Sequence, residues 1–203
     1  MSLILITGSA GSGKTTIRAE LQKRGCEAYD TDSDGFSSWH NKGTGQAVKS
    51  PPTNRLPQEW YEQHDWVLSA TKVSKLAEQA TNKTIFLCGT VGNKREILDL
   101  FSQIILLNID EETLKTRLAH RNGGNEFGKQ QHELVRILDW HKTVEKDYRE
   151  LGAVIIDATR PIETVVENII EIAGERFRLL QYQQRFSNHR QLGYYSQYGV
   201  SPI

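Results

Sequence analysis

Apolar positions along the chain fall into two alternating rhythms. Short β-branched runs bounded by glycine or polar residues read as buried parallel strands: Leu3–Thr7, residues 26–32, 84–89, 103–109 and 153–157. Between them, apolar residues recur at three- and four-residue spacing. Ile17 and Leu21 mark a helix over 14–24 that stops at Gly25. Ile97, Leu98 and Phe101 mark one over 93–101. Leu114 and Leu118 mark one behind Asp110 as N-cap. Leu134, Ile137, Leu138, Val144 and Tyr148 mark one over 130–151 that ends at Gly152. Pro161 opens a last helix carrying Val165, Val166, Ile169, Ile170 and Ala173. Five strand–helix alternations predict an α/β fold: a five-stranded, mostly parallel sheet with helices on both faces.

Two stretches interrupt the rhythm and are expected as insertions. Residues 33–81 hold three of the four tryptophans and read as a substrate lobe, with a hairpin turn at 41–46. Residues 121–130, with Gly123, Gly124 and Gly128, read as a lid that closes over nucleotide. One domain over 1–173 is followed by a helix extension and tail, 174–203. The chain of 203 residues is long enough for a real core. Its 25 Lys+Arg balance 25 Asp+Glu, which argues against a dedicated nucleic-acid or anionic-membrane binder. Cys26 and Cys88 are far apart and suit a reduced cytoplasmic protein. Neither a signal peptide nor a transmembrane helix is expected.

The glycines after the first strand carry the chemistry. Gly8–Thr15 reads G-x-x-x-x-G-K-[ST], between a strand and a helix as that motif requires. Backbone N–H groups of Gly8, Ser9, Ala10, Gly11, Ser12 and Gly13, with those opening the helix through Thr16, are expected around phosphate oxygens. Lys14 reaches the β- and γ-phosphates and the Thr15 hydroxyl sits on Mg²⁺. Asp30, Asp32 and Asp34 close the second strand, where alternation puts them on one face. One carboxylate there holds a Mg²⁺ water and another takes a proton from a hydroxyl; the bland alternative is a solvated acidic turn, Asp34 above all. Arg117 and Arg121 share a helix face leading into the lid and can clamp phosphate charge, or be only an exposed helix end.

The order of P-loop, D-x-D after strand two, R-x-x-x-R before a lid, and D-A-x-x-P after strand five resembles the P-loop kinases that include adenylate, shikimate and gluconate kinase. The resemblance covers residues 1–173. It implies that Asp30 approaches Mg²⁺ through water and that Asp32 contacts the acceptor hydroxyl. It further implies that Arg117 and Arg121 contact ATP phosphates, and that Ala158, Thr159, Arg160 and Pro161 wrap the adenine. The stretch after strand three, CGTVGNK, matches neither the Asp-Gly of nucleoside monophosphate kinases nor the G-G-G of shikimate kinase. NKRE at 93–96 looks like the guanine-reading N-K-x-D but lies too early in the sheet.

The expected activity is ATP- and Mg²⁺-dependent transfer to a nucleoside, nucleotide or hydroxy compound, by a monomer or homodimer, with GTP tolerated as donor. A P-loop NTPase and a nucleotide-binding regulatory protein remain as alternatives. Trp39, Trp60, Tyr61 and Trp66 stack on a substrate ring or pack the lobe. The six histidines show no metal spacing. The Gln-, Tyr- and Arg-rich tail reads as a docked helix with a frayed end rather than an RNA contact.

Overall fold

The computed structural model describes residues 2–51, 55–121 and 127–174. Its first strand, β1 (Ser2–Thr7), is buried along its whole length. Alternation divides its side chains between two cores: Ile4 and Ile6 to one face, Leu3 and Leu5 to the other. The glycine-rich loop leads into α1 (Lys14–Lys23), then β2 (Glu27–Asp30). A small lobe follows: β3 (Ser37–Asn41), β4 (Ala47–Val48), α2 (Gln58–Gln63) and β5 (His64–Leu68). The chain returns through α3 (Ala70–Gln79), β6 (Thr84–Cys88), α4 (Lys94–Ile97) and a 3₁₀ turn at Leu98–Leu100. Next come β7 (Gln103–Asn108), α5 (Glu111–Ala119), α6 (Gln131–Glu150) and β8 (Val154–Asp157), and α7 spans 162–174.

Five strands form one sheet in the order β2-β6-β1-β7-β8, and all four pairings are parallel. Helices cover both faces. Ile17 and Leu21 of α1, Leu114 and Leu118 of α5 and Val166 and Ile169 of α7 pack on one; Val73 and Leu76 of α3 with Val144 and Tyr148 of α6 pack on the other. Each fully buried aliphatic side chain contributes about 1.5–3 kcal/mol. The parallel α/β arrangement read from the apolar rhythm is the one observed.

Three details differ from the sequence reading. The helix expected over 93–101 is one α turn and a 3₁₀ turn, because Asn93 spends its side chain on the backbone of Leu68 and Phe101 is already extended ahead of β7. The second strand stops at Asp30, and residues 31–35 form a turn. Strand alternation therefore does not put Asp32 and Asp34 on Asp30's face. The Pro161 carbonyl accepts from Val165 N–H, so Pro161 caps α7 instead of occupying its first turn.

The lobe is a three-stranded antiparallel sheet, β4-β3-β5, with Trp39 directly opposite Trp66. The turn at 42–46 joins β3 to β4 where the hairpin was expected. Helix α3 lies within the stretch read as lobe but packs on the main sheet. Residues 122–126 of the expected lid, and the tail from 175, lie outside the described residues. No helix among the described residues is long and apolar enough to cross a membrane.

Candidate active site

The glycine-rich loop sits at the C-terminal end of the central strand β1, where parallel sheets place their ligands. Gly8 has φ 153°, and a Cβ there would stand 2.6 Å from both the Leu107 carbonyl and Ser12 Oγ. The loop can pass between β7 and its own far side only with glycine at that point. Gly13, at φ 102°, turns the chain into α1 and caps it without a side-chain acceptor. The first turn of α1 also lacks acidic residues. By contrast, Asp110 caps α5, accepting from Thr113 N–H at 2.7 Å. The amides of α1 thus remain available to an anion from outside the chain. Ser12 Oγ, buried inside the loop, has no partner among the described residues.

Lys14 Nζ donates to the carbonyls of Gly8 at 2.7 Å and Ser9 at 2.9 Å. Burial pushes its pKa down to about 8. Asp32 opposes the shift, Arg121 adds to it, and Asp30 opposes it more weakly. The charged side chains acting on Lys14 are Asp30 at the end of β2, Asp32 in the turn that follows, and Arg121 beyond α5. Thr15 and Thr16 open α1 with exposed side chains.

The acidic turn gives its three carboxylates different work. Asp30 Oδ1 accepts from the N–H groups of Asp32 and Ser33, both at 2.9 Å, and so ends the strand with an Asx-type turn. Asp34 Oδ2 accepts from Asp30 N–H at 2.7 Å and pairs with Arg18 at 3.4 Å. Asp34 thus serves the turn itself. Asp32 Oδ1 accepts from Thr31 Oγ1 and from the indole Nε1–H of Trp66, both at 2.9 Å.

Arg117, on α5, reaches the glycine-rich loop, and among the described residues Arg121, just beyond that helix, does not bond to it. Arg117 donates to the Ser12 carbonyl at 3.4 Å and the Ala158 carbonyl at 2.9 Å. It joins the phosphate loop to the stretch Ala158–Pro161. Arg121 lies past the last helical residue and donates to the Phe127 carbonyl at 3.3 Å. Thr159 and Arg160 turn back on Asp157: Thr159 donates from its N–H at 3.0 Å and its hydroxyl at 2.6 Å, and Arg160 pairs with it at 3.4 Å.

Three contributors carry no sequence motif. His141 Nδ1 lies 2.9 Å from Ser9 Oγ and pins the phosphate loop to α6. Glu133 is buried and accepts from Tyr61. Trp66 bonds Asp32. All three are contacts between residues far apart in the chain, which no local spacing announces. The aromatic residues of the lobe pack mainly on one another: Trp39 meets Trp60, Tyr61 and Trp66 with ring centroids 6.0, 5.7 and 5.1 Å apart. Asn93, the first residue of NKRE, bonds both the N–H and the carbonyl of Leu68 at 3.0 Å and has a structural job.

Among the described residues no group of three or more His, Cys, Asp or Glu side chains could hold a metal ion. A hydroxyl at Thr15 and a carboxylate at Asp30 are hard oxygen donors. They suit a cation such as Mg²⁺, whose other ligands are phosphate and water.

A family model described as AAA domain matches residues 4–136. Among solved structures, shikimate kinase from Acinetobacter baumannii in complex with shikimate is similar with TM-score 0.56 and 18% identity, over 86% of this chain and 94% of that one. Shikimate kinase from Aquifex aeolicus vf5 has TM-score 0.52 and 18% identity, over 86% and 98%. A gluconokinase from Sinorhizobium meliloti 1021 has TM-score 0.50 and 18% identity, over 89% and 95%. No curated protein matches the chain by sequence. Identities this low show a common fold. The chain belongs to the AAA domain family, with the fold shared by the P-loop small-molecule kinases.

Proposed function

We propose that the protein is an ATP- and Mg²⁺-dependent kinase that transfers the γ-phosphoryl group to a hydroxyl of a small metabolite: a nucleoside, a nucleotide or a shikimate-like hydroxy compound. The observation that supports this reading is the sheet register: Ile6 of β1 and Asp30 of β2 both lie opposite Cys88 of β6, so the glycine-rich loop and the acidic turn leave the sheet at the same level, and the charges of Asp32 and Asp30 act on Lys14. An acidic turn level with a phosphate-binding loop is what transfer to a hydroxyl calls for: a carboxylate that can orient the acceptor beside the group to be transferred.

Each residue then has a task. The amides of Gly8–Thr16 cradle the phosphates, and Lys14 neutralises the β- and γ-phosphates. Arg117 and Arg121 stabilise charge on the transferring group. The stretch Ala158–Pro161 surrounds the purine largely with backbone, which favours ATP while tolerating GTP. Thr15 and Asp30 would hold Mg²⁺, which when bound neutralises phosphate charge. Asp32 orients the acceptor hydroxyl in line with the leaving group and accepts its proton, a role worth roughly 10²–10⁴-fold. The lobe within 33–81 receives the acceptor and the stretch 121–130 covers the nucleotide. The enzyme works in the cytoplasm, as a monomer or homodimer.

ADP release from MgATP, with and without a panel of nucleosides, nucleoside monophosphates and polyhydroxy acids, tests the reading. Acceptor-dependent release is the expected result. Turnover indifferent to every acceptor would make the protein an NTPase, and binding without turnover a regulatory module.

A further inference from the structure

We infer that Trp66 is a positioning residue for phosphoryl transfer: through its indole N–H, the acceptor lobe sets the orientation of the Asp32 carboxylate. The inference rests on the kinase reading above.

Asp32 needs such a device. It is exposed and lies in a turn beyond the end of β2, where no strand ladder fixes its backbone. An exposed aspartate in a turn samples several rotamers, while in-line transfer needs its oxygen held to a fraction of an ångström. Two donors from different elements meet on one of its oxygens: Trp66 Nε1–H and Thr31 Oγ1, each 2.9 Å from Oδ1. Among the described residues no side chain or amide is bonded to Oδ2. Oδ1 is thus the fixed oxygen, and Oδ2 is left to receive the acceptor hydroxyl.

The chemistry of the donor matters. Asp34, two residues on, is paired with the Arg18 guanidinium. A guanidinium in direct contact, as Asp34 has, would hold Asp32 in an ion pair and occupy the oxygens that are to meet the acceptor. Indole is a neutral single donor with no acceptor atom, so it orients one oxygen and leaves the other open.

Trp66 is itself held from three sides. Its ring meets Trp39 edge-on at 5.1 Å, across the β3–β5 ladder. The Asn93 side chain bonds both backbone groups of Leu68, two residues further along β5. The loop after β6 approaches so closely that a Cβ on Gly92 would stand 2.3 Å from the Trp66 carbonyl, and a Cβ on Gly89 would stand 1.8 Å from Thr31 Oγ1. One loop therefore sets the spacing between both donors and the carboxylate they share. This gives the stretch CGTVGNK a purpose that neither kinase pattern supplies.

The test is a double-mutant cycle. W66F keeps an aromatic ring against Trp39 and removes the donor. With MgATP and whichever panel member gives the strongest ADP release, W66F should lower kcat about tenfold or more and leave KM for MgATP unchanged. In the D32N background W66F should have no further effect, because the group it positions has lost its role. Equal losses in both backgrounds, or no loss in either, would overturn the inference and leave the kinase reading standing. Absence of acceptor-dependent turnover in the unaltered protein would overturn both. A second measurement leaves Trp66 unaltered: D32N should move the ¹⁵N–¹H resonance of the Trp66 indole, identified by its loss in W66F or by resonance assignment. An unmoved resonance would mean that the bond, and with it the inference, is wrong.

Discussion

Tyr61 donates its phenolic hydrogen to Glu133 at 2.6 Å, across 72 positions of sequence. The other oxygen of Glu133 accepts from Gly128 N–H at 2.8 Å and Gln130 N–H at 3.4 Å. One buried carboxylate thereby joins α2 of the lobe, the first turn of α6 and the segment leading into it. Burial, together with the hydrogen bond to Glu133, holds the Tyr61 phenol above its ordinary pKa. Hydrogen bonds to a charged group contribute about 1.5–3 kcal/mol. Y61F should therefore destabilise the protein by about that amount. E133A should cost more, because it leaves a buried phenol and buried amides without an acceptor. Urea denaturation of the two variants measures both, and the prediction fails if E133A is the milder change.

A second relationship joins the glycine-rich loop to the stretch after β8. Arg117 bonds both Ser12 and Ala158 through different guanidinium nitrogens. Lysine supplies a charge but lacks the planar fork that spans both carbonyls. R117K should weaken binding of a non-hydrolysable ATP analogue roughly 10–100-fold, equivalent to about 1.4–2.8 kcal/mol. Isothermal titration measures it, and unchanged affinity would remove Arg117 from the site.

Lys14 makes stability and binding depend on pH. Its pKa is lowered from 10.5 to about 8 by burial. Between those values the unfolded chain keeps the proton that the folded chain releases. Stability contributed by this group therefore rises as pH climbs from about 8 toward 10.5. Phosphate at the loop would restore the charged form, so nucleotide binding near pH 8.5 should take up protons. Titrations in two buffers of different ionisation heat detect the uptake, and K14A should abolish it along with most phosphoryl transfer. Equal proton uptake in K14A would assign the effect to another group.

The sheet and its helices are legible in the sequence because each strand and helix carries its own apolar period, and Asp110 announces its capping role in a few contiguous residues. The lobe was not legible as a sheet. Trp39 and Trp66 pair across 27 positions, and nothing near either residue specifies that partner. Helix α3 was absorbed into the lobe stretch for a related reason: Val73 and Leu76 show a helical face but not which of two cores it covers. Strand alternation carried past Asp30 predicts an extended acidic cluster, which the structure does not show. The Asp30 side chain ends the strand there by capping its own turn. The arrangement of the three aspartates is thus a product of turn chemistry and of contacts with Arg18 and Trp66.

That arrangement is where the account is tested most directly. Asp30 faces the turn amides, Asp34 is bound by Arg18, and Asp32 alone is held by a donor from the lobe. The measurement is single-turnover transfer from γ-labelled ATP to the identified acceptor, in D30N, D32N and D34N, beside the affinity of each variant for an ATP analogue at several Mg²⁺ concentrations. D32N should lose transfer by about 10²-fold or more with analogue affinity intact. D30N should chiefly alter the Mg²⁺ dependence, and D34N should do little to either. Transfer crippled in D34N and unaffected in D32N would contradict the account.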